Sequence, residues 1–145
     1  MGMLTGTFCH ALDEKNRLSI PSKWRKDLEK DGKEVYVTPG LDQCLFILSS
    51  LQFEELAQKV KQLPFTKENV RSFLRLFFSK ASPPLEFDKQ GRILIPQFLK
   101  DHAEINKEIV LVGVYDRIEA WNPKLWDSFN SQKEGSFEKI AETLF

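Results

Sequence analysis

Two short segments of the sequence carry an acid and a base four residues apart. Asp13 and Arg17 form the first pair, and Asp88 and Arg92 form the second pair 75 residues later. A carboxylate can orient a guanidinium group, and an oriented guanidinium can make two parallel hydrogen bonds to a guanine base. The residue types equally allow each arginine simply to pair with its own aspartate. The two interpretations are compatible, because an ion pair can hold an arginine ready for a base.

The two pairs lie within a repeat that covers most of the chain. Residues 12–21 read LDEKNRLSIP, and residues 87–96 read FDKQGRILIP. The similarity continues beyond these segments, since KEVYV at 33–37 is echoed by KEIVL at 107–111. A repeat of about 75 residues is a whole structural unit, too long for one turn of a solenoid. The chain is therefore predicted to contain two copies of one small module.

Each acid–base segment is predicted to form a turn between two strands. Asp13 can open the turn, because its carboxylate can accept hydrogen bonds from backbone N–H groups two or three residues further on. Asn16, or Gly91 in the second copy, stands where such a turn needs a left-handed residue. Lys15 and Arg17 should then lie at or beside an exposed hairpin tip.

A helix is predicted directly after the second strand of each module. Pro21 cannot sit in a central strand but fits the first turn of a helix, which places a helix over residues 22–28. Trp24 and Leu28 are four residues apart and should share its buried face. Each module is thus predicted to run strand, turn, strand, helix, followed by a further pair of strands.

Basic residues are concentrated around the first turn. Residues 15–33 contain seven lysines and arginines against three acids, a local charge of +4, although the whole chain has a net charge of 0. A basic patch on a neutral protein is compatible with specific DNA binding. The candidate DNA-binding residues are Lys15, Arg17, Lys23, Arg25, Lys89 and Arg92. A solvated surface is the alternative interpretation for the lysines and for Arg25.

Helices are predicted between the two copies and after the second one. Ser49 or Ser50 can cap a helix over 51–63 that Pro64 ends, and a second apolar stripe runs from Val70 to Phe78. Asn122 and Pro123 should start another helix, followed by a short amphipathic tail. The predicted boundaries are a first module at 3–50, a helical connector at 51–81, a second module at 82–126 and a C-terminal helical tail at 127–145.

The sequence lacks the patterns of an enzyme or a metal protein. Cys9 and Cys44 are too few for a disulfide framework or a zinc site, and His10 and His102 are interpreted as hydrogen-bonded structural residues. No nucleophile–histidine arrangement and no glycine-rich phosphate loop stands out. Nowhere do 18 apolar residues follow one another, and no leader segment is evident. We therefore expect no catalysis, cofactor, metal or membrane contact, and a cytoplasmic location.

The two Asp-x-x-x-Arg segments resemble the repeated motif of the MraZ family of bacterial transcription regulators. The basic and aromatic segment RSFLRLFFS at 71–79 is also similar to that family, and the resemblance extends from Met3 to about Leu125. It implies an α+β fold, in which two swapped-hairpin β-barrel half-modules like those of the AbrB and SpoVT regulators form a tandem pseudo-symmetric repeat with flanking helices. Asn16 stands where the family usually has glycine, a difference that a residue tolerant of positive φ can absorb.

The resemblance also implies a function. It predicts binding to double-stranded DNA at short guanine-rich direct repeats in a promoter, with repression of the division and cell-wall gene cluster and association with the nucleoid. It further implies a homo-oligomeric ring of more than two subunits, and we expect the exposed phenylalanines of the connector, including Phe73 and Phe77, to hold it together. Arg71 and Arg75 are interpreted as bridges between protomers or partners of acids.

An antitoxin-like or scaffold protein that acts through protein binding is the alternative. Toxin-neutralising proteins normally need a long acidic or amphipathic C-terminal arm. The tail of this chain is short, which favours the DNA-binding interpretation.

Overall fold

A computed structural model describes residues 3–145 of the 145-residue chain, which form a mixed α+β fold. The first copy and the connector comprise β1 (Leu4–Ala11), β2 (Arg17–Ser19), α1 (Ser22–Glu29), β3 (Glu34–Pro39), β4 (Leu45–Ser49), α2 (Ser50–Lys61) and α3 (Glu68–Lys80). The second copy comprises β5 (Leu85–Glu86), β6 (Arg92–Leu94), α4 (Gln97–His102), β7 (Glu108–Tyr115) and β8 (Ile118–Trp121). The C-terminal part comprises α5 (Pro123–Lys133), a 3₁₀ turn (Glu134–Ser136) and α6 (Phe137–Glu142).

The two copies exchange their first strands. Six strands form one antiparallel sheet in the order β1-β7-β8-β4-β3-β5, and the remaining two, β2 and β6, pair with each other. The order of the large sheet is palindromic, because each copy contributes its first, third and fourth strands at equivalent places. β1 of the first copy pairs with β7 of the second, and β5 of the second copy pairs with β3 of the first. Neither copy therefore has a complete sheet of its own.

The main core lies where equivalent residues of the two copies meet. Leu18, Ile20 and Trp24 of the first copy are at most 3% exposed, and so are their equivalents Ile93, Ile95 and Leu99. Full burial of one such side chain contributes about 1.5–3 kcal/mol to folding. Because these residues flank the two acid–base turns, the core fixes the place where each turn begins and ends.

The opposite face of the large sheet carries a second, smaller apolar cluster. Side chains alternate along β4, so Leu45 and Ile47 join the main core, whereas Phe46 and Leu48 point to the other side. Side chains of α2 and α5 pack on this second cluster. The sheet is therefore covered on both faces.

Several predictions of local structure are confirmed. Ser49 caps α2 through a reciprocal capping box with Gln52, and Asn122 caps α5, whose first residue is Pro123. The helix predicted over 22–28 is α1, in which Trp24 and Leu28 are buried. The α+β class is also confirmed. Among residues 3–145, however, the strands form an open sheet and a two-stranded ribbon, and we find no closed barrel.

Other expectations need correction. β1 and β2 enter different sheets, so the first turn joins two sheets rather than closing a two-stranded hairpin. His102 does not have the full hydrogen bonding expected of it, because its Nε2 is buried without a hydrogen-bond partner in the described chain. Phe77 is only 5% exposed and stacks on Phe73, which is 38% exposed, so Phe73 offers more open surface than Phe77, and their part in holding an oligomer together stays a prediction.

Candidate nucleic-acid interface

The first turn, residues 13–17, is organised by the carboxylate of Asp13. Its Oδ1 accepts hydrogen bonds from the backbone N–H groups of Lys15 and Arg17, each at 2.9 Å. Its Oδ2 accepts a third hydrogen bond from Arg17 Nε at 2.6 Å. Asn16 takes the left-handed conformation expected of it, with φ of 61°. The backbone N–H bond from Arg17, together with the guanidinium and the N–H of Lys15, lowers the pKa of Asp13 despite opposing desolvation.

The second turn, residues 88–92, repeats this arrangement. Asp88 Oδ1 accepts from the backbone N–H groups of Gln90 and Arg92, and Oδ2 accepts from Arg92 Nε, each at 2.9 Å. Gly91 has φ of 75° at the position of Asn16. The pKa of Asp88 is lowered, and the backbone N–H of Arg92 is again the largest cause. Two separate segments thus build one geometry, which explains why the acid–base spacing recurs.

The two turns are tied together side by side. Leu18 and Ile93 are paired in the β2–β6 ribbon, and this pairing brings the turns to one place. Ile20 N donates to Gly91 O at 3.2 Å, and Ile95 N donates to Asn16 O at 2.8 Å. Each left-handed residue therefore accepts a hydrogen bond from the opposite copy through its carbonyl, which links the backbones of the two turns.

A basic side chain from the opposite copy also braces each turn. Lys100 of α4 is buried and donates from Nζ to Asn16 Oδ1 at 2.7 Å. Arg25 of α1 occupies the equivalent position and lies over Gly91, where its Nη1 fills the space that a Cβ would need. Lys100 is not among the residues predicted from the sequence. Its position 75 residues after Arg25 in the repeat is the signal that could have identified it.

The two arginines differ in how much of the guanidinium group the protein uses. Arg92 donates to Asp88, donates from Nη2 to Gln90 Oε1 at 2.8 Å, and places Nη1 3.6 Å from Asp13 Oδ2. Within residues 3–145, Arg17 donates its side-chain hydrogen bond through Nε to Asp13 alone. Arg17 therefore keeps both of its Nη groups available for an external acceptor, whereas Arg92 is largely engaged.

The remaining candidate residues are distributed around this pair of turns. Lys15 and Lys89 are exposed at the two turns, and Lys23 is exposed at the start of α1. Arg25 is half-buried over Gly91, with its Nε 3.6 Å from Glu29 Oε1. The structure thus brings Lys15, Arg17, Lys89 and Arg92 to adjacent turns and gives Arg25 contacts within the protein.

The arginines of the connector lie outside this site. Arg71 donates from Nη1 to the carbonyl oxygens of Phe65 and Thr66 at 3.1 and 2.8 Å, so it holds the loop between α2 and α3. In the described part of the chain neither Arg71 nor Arg75 pairs with an acid, and this part of their interpretation is wrong.

Other chemical features of the chain are limited. Among residues 3–145 no group of three histidine, cysteine or acidic side chains is placed to hold a metal ion. Burial raises the pKa of Cys44 to about 12, and Cys9 is exposed. None of the helices in residues 3–145 has the length and apolar character needed to cross a membrane.

Comparison with known proteins gives a consistent match over the whole chain. The family model described as "MraZ protein, putative antitoxin-like" matches residues 3–76 and again residues 77–145. A transcriptional regulator MraZ from Desulforamulus reducens is 46% identical over 142 residues, which cover 98% of this chain and 97% of that protein. A transcriptional regulator MraZ from Natranaerobius thermophilus is 44% identical over 142 residues, covering 98% of this chain and 96% of that protein.

Proposed function

Because the chain belongs to the MraZ family, we propose that it is a transcriptional regulator that binds specific DNA sequences through its paired turns. The relatives that it matches are named transcriptional regulators, and the geometry of Arg17 carries the DNA-binding part of the proposal. Its guanidinium is oriented by Asp13 at 2.6 Å while both Nη groups stay available. An arginine that is held in place and has unpaired N–H donors is the side chain best suited to form two hydrogen bonds with a guanine base.

The other candidate residues are assigned different roles. Lys15, Lys23 and Lys89 are exposed, and we assign them to DNA phosphates, which fix the register of a protein on DNA without reading its sequence. Arg92 and Arg25 are more engaged within the protein, so their contribution to DNA binding is mainly to hold the turns in place. Asp13, Asn16, Asp88 and Gly91 shape the turns.

The target of this regulator is a promoter with short guanine-rich direct repeats, and the genes it represses are the division and cell-wall cluster. Several protomers in a ring read the repeats together, since one pair of turns offers few contacts. The protein acts on double-stranded DNA at the nucleoid. The resemblance of the sequence to its family is the basis for these details.

The fold of the regulator is a fused pseudo-dimer with the boundaries 3–50, 51–81, 82–126 and 127–145. The exchange of β1 and β5 between the copies supports a swapped-hairpin relationship of the two modules. Because each module lacks strands that the other supplies, the modules at 3–50 and 82–126 fold together and not separately.

A mobility-shift assay with DNA from upstream of the protein's own gene tests the proposal. We expect a specific complex that unlabelled promoter DNA displaces and random DNA does not. Arg17→Ala should abolish the specific complex, and Arg17→Lys should restore little, because lysine keeps the charge but lacks the planar fork. Lys61→Ala, which removes one charge at the end of α2, serves as the control. Full specific binding by folded Arg17→Ala would reject Arg17 as the reading residue.

An antitoxin-like or scaffold role remains the second candidate, because the matching family model carries that description. The segment after α5 consists of a 3₁₀ turn, the six-residue helix α6 and a final turn, which is short for the long arm that a toxin-neutralising protein wraps around its toxin. A protein that binds no promoter DNA in the shift assay, yet forms a stoichiometric complex with another protein of the same cell, would favour this role.

A further inference from the structure

An apolar groove lies beside α3, between this helix and the turn that joins β3 to β4. Its volume is about 310 Å³, and its apolar lining includes Leu41, Phe46, Leu56, Phe73, Leu76 and Phe77. Leu41 and Leu76 are 67% and 59% exposed. Exposed apolar side chains around a concave surface mark a place where another molecule packs. We call this surface the connector groove.

The C-terminal helix α6 and the turn after it carry an apolar face that lies beside Phe129 of α5 and stays largely exposed. Phe137, Ile140 and Ala141 lie on α6, and Leu144 lies in the turn that follows it, so the four residues stand at the i, i+3, i+4 and i+7 positions. Phe137 and Leu144 are each 74% exposed, and Ile140 is 44% exposed. This spacing is the one by which an amphipathic helix places its side chains in an apolar groove.

The two chain segments that contain these surfaces carry opposite net charges. Connector residues 51–81 contain six lysines and arginines against three glutamates, a net charge of +3. Residues 127–145 contain four acids against two lysines, a net charge of −2. Lys80 lines the connector groove itself, whereas α6 carries two glutamates, Glu138 and Glu142, against one lysine, Lys139. Such opposite charges favour the encounter of the two surfaces and help to orient it.

We propose that α6 of one protomer docks in the connector groove of a second copy of the same chain. The inference rests on the proposed function, which includes a homo-oligomer, and it identifies the two surfaces that build it. The contact joins two different surfaces, so each protomer still offers one free groove and one free helix. Repetition of a contact of this kind closes a ring when the rotation between neighbours allows it.

Two charge-introducing variants test the contact. Leu76→Asp damages the connector groove, and Leu144→Asp damages the apolar face that α6 forms with the turn after it, at sites that are exposed in the protomer. Each variant alone should be a monomer of about 16.9 kDa by light scattering, whereas the unmodified protein forms a larger assembly. An equimolar mixture should form a dimer and nothing larger, because only one intact groove and one intact helix remain for each pair.

The controls distinguish loss of this contact from unfolding and from a general effect of an added surface charge. Leu94→Asp changes an exposed leucine on β6, outside both surfaces, and should keep the mass of the unmodified protein. Circular dichroism checks that each variant is folded. A folded variant that keeps the full mass would overturn the inference, and so would a mixture that stays monomeric, since α6 would then dock within its own chain or on another protein.

The proposal that the protein is a DNA-binding regulator is tested by a different measurement from the contact between protomers. Arg17→Ala changes neither surface and should keep the full mass while it loses specific DNA binding. An unmodified protein that is monomeric but still binds its promoter would reject this contact and leave the regulator proposal standing.

Discussion

Lys100 donates a hydrogen bond from Nζ to Asn16 Oδ1 at 2.7 Å, although 84 residues separate them in the chain. The contact joins the helix of the second copy to the acid–base turn of the first. Its counterpart is Arg25, which reaches from the helix of the first copy to Gly91 in the turn of the second. The conformation of each turn therefore depends on the folding of the opposite copy.

Removal of the Lys100 amino group should destabilise the protein. Lys100 is 7% exposed, so Lys100→Ala leaves Asn16 Oδ1 without its donor in a place that water reaches poorly. Hydrogen bonds to charged groups contribute roughly 1.5–3 kcal/mol, and we expect a loss of that order in the free energy of unfolding from urea denaturation. Lys107→Ala, at an exposed position before β7, is the control and should lie within about 0.5 kcal/mol of the unmodified protein. Equal stability of the two variants would show that Lys100 does not brace the turn.

Arg17 and Arg92 should respond differently to the same substitution. Arg17→Ala removes free guanidinium donors, so each protomer's contact with the cognate DNA should weaken by about 5- to 150-fold, the equivalent of about 1–3 kcal/mol, and the loss recurs in every subunit of an oligomer. Arg92→Ala removes contacts to Asp88, Gln90 and Asp13, so it should lower the melting temperature more than Arg17→Ala does. Fluorescence anisotropy and thermal denaturation measure the two effects. If Arg92→Ala weakens DNA binding more at unchanged stability, the second turn is the principal reader.

The acid–base turns should make the stability of the folded protein depend on pH in the acidic range. The pKa values of Asp13 and Asp88 are lowered from 3.8 in the folded protein, mainly by hydrogen bonds from the backbone N–H groups of Arg17 and Arg92. Their stabilising contribution is therefore complete above about pH 5 and is lost progressively as the pH falls through 3.8 and then through the lowered values. We measure melting temperatures from pH 6 to pH 2.5. The decline at the acid end should be less steep in the Asp13→Asn and Asp88→Asn double variant than in the unmodified protein.

The control for this pH dependence is Asp127→Asn on α5, an exposed aspartate outside the turns. It should leave the acid dependence of the melting temperature unchanged. A double variant with the same steep decline as the unmodified protein would mean that other groups cause the loss of stability in acid.

The turns and helix caps could be predicted from the sequence because they depend on neighbouring residues. Asp13 receives its hydrogen bonds from residues 15 and 17, and the Ser49 cap involves Gln52, three residues away. The left-handed conformation of Asn16 follows from the turn itself.

The pairing of the strands and the role of Lys100 could not be predicted in the same way. β1 pairs with β7 across about 100 residues, and an alternating strand pattern does not identify its partner. Lys100 is a charged residue on a short helix, which normally indicates a solvated side chain. Only the contact with the opposite copy explains its burial, and that contact arises from the exchange of strands.

The spacing of DNA repeats should control affinity if several protomers read one promoter together. One pair of turns has few contacts, and such binding typically lies around 10⁻⁴–10⁻⁶ M at physiological salt. A rigid ring presents identical turns at fixed distances, so later contacts become intramolecular and can raise affinity by about 10²–10⁴. Repeats lie on one face of the duplex when whole turns of about 10–10.5 base pairs separate them.

Inserted base pairs between two repeats test this dependence. Five added base pairs place the repeats on opposite faces and should lower affinity sharply, whereas ten added base pairs should restore most of it. A promoter fragment with a single repeat is the matched control and should bind as weakly as the five-base-pair insertion, because both leave one productive contact. Anisotropy titrations at one fixed salt concentration compare the four DNAs, since salt changes every phosphate contact. Affinity that ignores helical phase, or that is equal for one and several repeats, would mean that each protomer binds DNA independently.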